Sequence, residues 1–191
     1  MFLLICLCSS SKSDEGTLKT LEFTVNDLLL QNVITDTVLK ISFRPPKTWN
    51  NASNDTLVKF IEKVSLDQNV NRGFVHMYCD TVSHSILLLN QAMLFTAKNG
   101  EESLKKIGEL CKKQFPRSEI HTFIFLKKPF LVHQIIANMG KMVLVSLFFN
   151  NEDCHPFGVH FLLPYATFSE QMKIVESVAG SIKVAVDKKA Q

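Results

Sequence analysis

The chain has 191 residues, of which 46% are hydrophobic and 20% charged, with a net charge of +3. That length suits one domain able to bury roughly 70% of its unfolded surface, and the composition excludes general disorder. The lysines fall in scattered pairs such as Lys105-Lys106 and Lys127-Lys128, with no long basic block or interleaved aromatics. A nucleic-acid partner is therefore not expected.

The N-terminus opens with an apolar run, Met1 to Cys8, followed by a polar stretch of Ser, Lys, Asp and Gly to Gly16. The run is too short to span a bilayer, which needs about 20 apolar residues. An apolar run ending at a cysteine before a Ser-rich tether resembles a bacterial lipoprotein leader. Cys8 is the expected lipid-bearing residue, with Cys6 as second choice. Residues 1–17 are read as leader and tether, and 18–187 as a single domain. The competing reading is a short hydrophobic terminus that packs on the domain or frays. Cys79, Cys111 and Cys154 then remain, an odd number that makes no disulfide framework.

In chain order, Leu18 to Gln31 predicts a short strand and a turn, and Val38 to Phe43 a strand. Pro45-Pro46 ends that strand, because proline cannot donate to a sheet ladder. Asn50 to Asn54 reads as a polar loop. A helix is expected from Asn54 or Asp55, either of which can cap its first turn, through Leu57, Phe60, Ile61 and Val64. Two strands, Phe74 to Cys79 and Ser85 to Leu89, flank the turn Asp80 to Ser83. After Asn99-Gly100, the spacing of Leu104, Ile107, Leu110 and Cys111 predicts an amphipathic helix. Four extended runs follow: His121 to Leu126, Leu131 to Asn138, Lys141 to Phe149 and Gly158 to Leu163. With turns at Lys127-Lys128-Pro129, Asn138-Met139-Gly140 and Asn150 to Pro156, they predict an antiparallel meander. Successive apolar positions such as Val143-Leu144-Val145 imply a sheet covered on both faces. Phe168 to Val184 is predicted as a final helix with Met172, Val175, Val178, Ala179 and Ile182 as its apolar stripe.

This order of elements resembles the PsbP-like domain family. The strand ending Phe43-Arg44-Pro45-Pro46-Lys47-Thr48-Trp49 is similar to that family's opening. Val159 to Pro164, followed by a helix ending Gly180-Ser181-Ile182-Lys183, is similar to its close. The resemblance covers about residues 36 to 185. It implies an α+β fold, an α/β/α sandwich with a central, mainly antiparallel sheet flanked by helices. The family includes photosystem II extrinsic proteins, a nuclear Ran-binding nucleotide-release factor and bacterial envelope lipoproteins. It implies a scaffold that binds other proteins, and it carries over no catalytic residues.

Glu152-Asp153-Cys154-His155 is the densest set of metal-competent side chains, but adjacent residues converge poorly on one ion, so a polar hairpin loop is expected and no metal. His121, His133 and His160 are read as satisfied core or sheet-face histidines. Trp49 is read as a core or rim anchor, with a partner-binding aromatic as the alternative. Asn51 and Asn54 begin N-x-S/T sequons, which matter only for a secreted eukaryotic chain. Walker, dinucleotide and nucleophile-elbow motifs are all missing. The expectation is a non-enzymatic envelope lipoprotein or interaction module without a cofactor, anchored to the membrane through lipid and bound to an envelope protein. The alternatives are a small-ligand or metal carrier, and a cytoplasmic location.

Overall fold

Successive apolar positions in the second half of the chain dictate a sheet with two buried faces, and a computed structural model shows how they are used. The structure describes residues 18–52, 74–92 and 100–185. The expected leader with Cys6 and Cys8, and the helix expected over Asn54 to Val64, lie outside the described residues.

The strands are β1 (Ile34–Asp36), β2 (Ile41–Phe43), β3 (Asn50–Asn51), β4 (Phe74–Cys79), β5 (Ile86–Gln91), β6 (Glu119–Lys127), β7 (Phe130–Asn138), β8 (Met142–Asn151), β9 (Cys154–Pro164) and β10 (Lys183–Val184). The helices are α1 (Gly100–Gln114) and α2 (Phe168–Ser181). A seven-stranded sheet has the order β3-β4-β5-β9-β8-β7-β6, and a three-stranded sheet has the order β1-β2-β10. Every named pairing is antiparallel. The α+β class therefore holds.

The two faces of the large sheet bury different residues because side chains alternate along a strand. One face carries Leu87, Leu89, Val145, Leu147, Val159 and Phe161, which form the main core with Ile41, Phe43, Val175, Val178 and Ile182. Helix α2 and the three-stranded sheet thus share one layer. The opposite face carries Ile135 and Phe148, which pack with Leu104 and Ile107 of α1. Among the described residues, then, one flanking layer is α1 and the other is mixed helix and sheet.

Several elements differ from the sequence expectation. The single strand expected at Val38 to Phe43 is the second half of a hairpin, β1–β2, that turns through Lys40 at φ 55°. The buried Asp36 carboxylate accepts from the Leu39 amide at 2.6 Å and holds that turn. Asn50 and Asn51, expected in a loop, pair with Cys79 and Tyr78. The final helix stops at Ser181 because Ile182 is extended, and Lys183 and Val184 instead pair with Ser42 and Ile41. The wide loop expected at Asn150 to Pro156 shrinks to Glu152-Asp153, since Asn151 already pairs with Cys154. In the segment Leu18 to Gln31, Thr20 forms a lone parallel bridge to Leu126, and a 3-10 turn spans Asp27–Leu29.

Candidate functional site

Three of the apolar strand runs each carry polar residues on the α1 side of the large sheet. They are Asn90 in β5, Ser146 in β8 and His160 in β9. Register brings them together: Ser146 stands opposite His160, and Gly158 opposite Asn90. His160 Nδ1 lies 2.9 Å from Ser146 Oγ, and its Nε2 lies 2.8 Å from Asn90 Oδ1. An amide oxygen only accepts, so Nε2 carries the proton and donates to Asn90. Nδ1 then accepts from the Ser146 hydroxyl. Burial pushes the imidazole pKa down to about 4, so the ring is neutral near neutrality. Phe148 packs edge-on to the ring at 5.4 Å.

Gly158 makes this arrangement possible. A Cβ there would stand 2.4 Å from Asn90 Oδ1 and 2.5 Å from His160 Nε2. Gly100, the first residue of α1, likewise lies against the His133 ring, where a Cβ would approach Nε2 to 2.3 Å. His133 is buried on this same face, one strand pairing from Phe148, and burial lowers its pKa despite the opposing charge of Glu101. Asn150 continues the row and is buried with neither side-chain polar atom bonded.

The order hydroxyl, imidazole, orienting group is the order used to activate a serine nucleophile. Here Ser146 is only 2% exposed, in the middle of a central strand. A hydroxyl held there closes a buried polar network that gives both nitrogens of His160 a partner. His133 and His160 thus occupy the sheet-face positions expected for them, and His121 is exposed near the start of β6.

The other candidates separate. Cys154 turns into the main core, its thiol pushed up to about 11 by burial and by Asp153, while Glu152, Asp153 and His155 are exposed. The four do not converge, and among the described residues no three metal-competent side chains gather. Trp49 is 1% exposed and meets Phe161 edge-on at 6.5 Å. It sits in the core, and its indole presents no face to solvent. Gln31 Nε2 donates to the carbonyls of Pro46 and Trp49, both at 2.8 Å, and fixes the loop that delivers the indole. Cys111 is buried and Cys79 half-buried, and desolvation raises both thiols, which makes them poor nucleophiles.

Two polar contacts were not foreseen. His76 Nε2 lies 2.7 Å from Asp36 Oδ2 and ties β4 to the β1–β2 hairpin. Lys127 is buried, and its ammonium donates to the Ile182 carbonyl at 2.7 Å, at the end of α2. Burial, aided by Lys183, pushes its pKa down to about 8. The available signal was a lysine pair, Lys127-Lys128, closing an apolar strand run.

No family model matches this chain, and no curated protein matches it in sequence. Solved structures do. The solution structure of cyanobacterial PsbP (CyanoP) from Synechocystis sp. PCC 6803 matches with a TM-score of 0.56 and 11% identity, over 92% of this chain and 98% of that one. The crystal structure of the Saccharomyces cerevisiae Ran-binding protein Mog1p matches with a TM-score of 0.47 and 6% identity, over 81% of this chain and 95% of that one. The likeness to CyanoP shows that the chain has the PsbP-like fold expected from its element order.

Proposed function

We propose that this chain is a non-catalytic accessory or protein-interaction module, an α/β/α sandwich tethered to the cell-envelope membrane through lipidated Cys8. The observation that carries the non-catalytic reading is the burial of Ser146: the hydroxyl bonded to the His160 imidazole is enclosed by the sheet. The PsbP-like fold supports an accessory role by analogy alone. Binding is by surface complementarity, at the exposed edge strand, the hairpin tip Glu152-Asp153, or the loop from Lys47 to Asn51. The partner is an envelope protein. The leader-like run ending at Cys8 supports the membrane address.

Intact mass and detergent partitioning, in the native host, test the anchor. The full-length chain is expected to gain the mass of a diacylglycerol and an acyl chain and to enter the detergent phase, and Cys8→Ala to do neither. An unmodified chain that stays in the aqueous phase overturns the envelope reading and favours the cytoplasmic one.

A further inference from the structure

The turns at the two ends of the large sheet differ in charge. Helix α1 ends beside the start of β6, because residues 115–118 make one tight turn in which the Ser118 N–H donates to the Phe115 carbonyl at 2.9 Å. Glu119, the first residue of β6, pairs with Asn138, so this turn stands next to the β7–β8 turn at Met139-Gly140-Lys141. The Tyr165 N–H donates to the Lys141 carbonyl at 2.9 Å, which brings the end of β9 alongside. The neighbouring strands β6, β7, β8 and β9 therefore present these ends together. Three strand spacings make that row about 14 Å wide.

Over residues 112–118, 139–141 and 165–167 every charged side chain is basic: Lys112, Lys113, Arg117 and Lys141. All four are exposed. The ion pairs of the described residues are Arg44–Asp27, His76–Asp36 and Lys106–Glu102, so none of the four meets a carboxylate. The first acids met on leaving this surface are Glu109, a turn back on α1, Glu119 and, in the first turn of α2, Glu170. Lys112 and Lys113 suit the negative end of the helix dipole, but Arg117 and Lys141 lie outside the helix and owe it nothing. At the opposite end of the same strands the turns are Lys128-Pro129 and Glu152-Asp153, where acids outnumber the base. Two rings stand among the four bases: Phe115 is 42% exposed and Tyr165 55% exposed. They mark the β6 and β9 ends of the row, with Lys141 between them. Cations without partners, flanked by rings left in water, match the headgroup layer of an anionic bilayer. Lipid phosphates meet the bases, and aromatic rings settle at the depth of the headgroups. An acidic polypeptide would meet the bases, whereas rings on two separate turns match a flat layer.

We propose that this end of the domain docks on an anionic lipid bilayer, with Lys112, Lys113, Arg117 and Lys141 against the headgroups and Phe115 and Tyr165 entering them. The contact needs no acyl chain and stands apart from Cys8.

Every chain in the test is full length and carries Cys8→Ala, so that no lipid anchor contributes. Vesicles of equimolar phosphatidylcholine and phosphatidylglycerol are expected to carry the chain down in cosedimentation at about 0.1 M salt, and vesicles of phosphatidylcholine alone to do so at least about tenfold more weakly. Lys112→Gln/Lys113→Gln and Arg117→Gln/Lys141→Gln are each expected to weaken binding at least about tenfold. Lys19→Gln/Lys128→Gln removes the same charge from exposed positions elsewhere and is expected to leave binding within about twofold. Phe115→Ser/Tyr165→Ser is expected to lose at least about threefold, with an unchanged circular dichroism spectrum. No binding to the anionic vesicles overturns the proposal, and so does an equal loss from Lys19→Gln/Lys128→Gln. Full binding by a folded Phe115→Ser/Tyr165→Ser chain reduces the surface to a site for any polyanion, an acidic protein included, and overturns the lipid assignment.

Discussion

His160 is the residue whose protonation state the fold commits most strongly, and this gives a defined dependence of stability on pH. Its folded pKa is about 4, against about 6.5 in an unfolded chain. Above the unfolded value both states are neutral and the native network is intact. As pH falls through that value, the unfolded chain takes up a proton that the native chain refuses, and stability is lost until the folded pKa is reached. Linkage puts the loss at about 2 kcal/mol between about pH 7 and pH 5. His133, also lowered by burial, adds in the same direction. His160→Gln keeps polar groups for Ser146 and Asn90 and cannot titrate, so its pH slope in this window is expected to be shallower by nearly one proton. Urea unfolding at a series of pH values, followed by the fluorescence of the single tryptophan, reads this directly. Equal slopes for the variant and wild type, or an NMR titration of His160 close to its unfolded value, would refute the argument.

Two further outcomes are expected. Gly158→Ala drives a methyl group into the His160–Asn90 hydrogen bond, where contacts of 2.4 and 2.5 Å leave no room. It should destabilise the chain by about 2 kcal/mol, and by clearly less in an Asn90→Ala background, as a double-mutant cycle in thermal unfolding will show. Trp49→Ala empties a fully buried indole site and should cost about 3–5 kcal/mol, with Trp49→Phe much milder; a Trp49→Ala melting curve that overlays wild type would remove the indole from the core.

The meander β6–β9 was legible because each strand is a long apolar run and short turns punctuate the runs. Local pattern and local pairing agree there. The three-stranded sheet was hidden for the opposite reason. Ile182 and Val184 carry on the apolar pattern of α2, and only the distant pairing of Lys183 and Val184 with Ser42 and Ile41 makes that end a strand. Asn50 and Asn51 have poor intrinsic strand preference, and β4 recruits them as an edge. Within the site, the histidines could be read as satisfied residues on sheet faces. Their partners could not, because Asn90, Ser146 and His160 meet only through the register of three strands, and a shift of one residue would put them on opposite faces. A lone polar residue inside each apolar run, with a glycine two positions before His160, was the signal available.

The small sheet closes the molecule by a route with consequences for its synthesis. Strands β1 and β2 emerge from the ribosome early, yet β10, which completes their sheet, is among the last described segments to appear. Until then Ile41 and Phe43 have no native cover from α2, and the buried flank of Lys127 has no Ile182 carbonyl to meet. Contacts between such distant parts of a chain form slowly, because loop closure precedes any gain from burial. A chain cut short before Phe168 would therefore display an apolar hairpin that the full fold conceals, and this gives a cell's quality-control machinery a physical mark for recognising truncated copies.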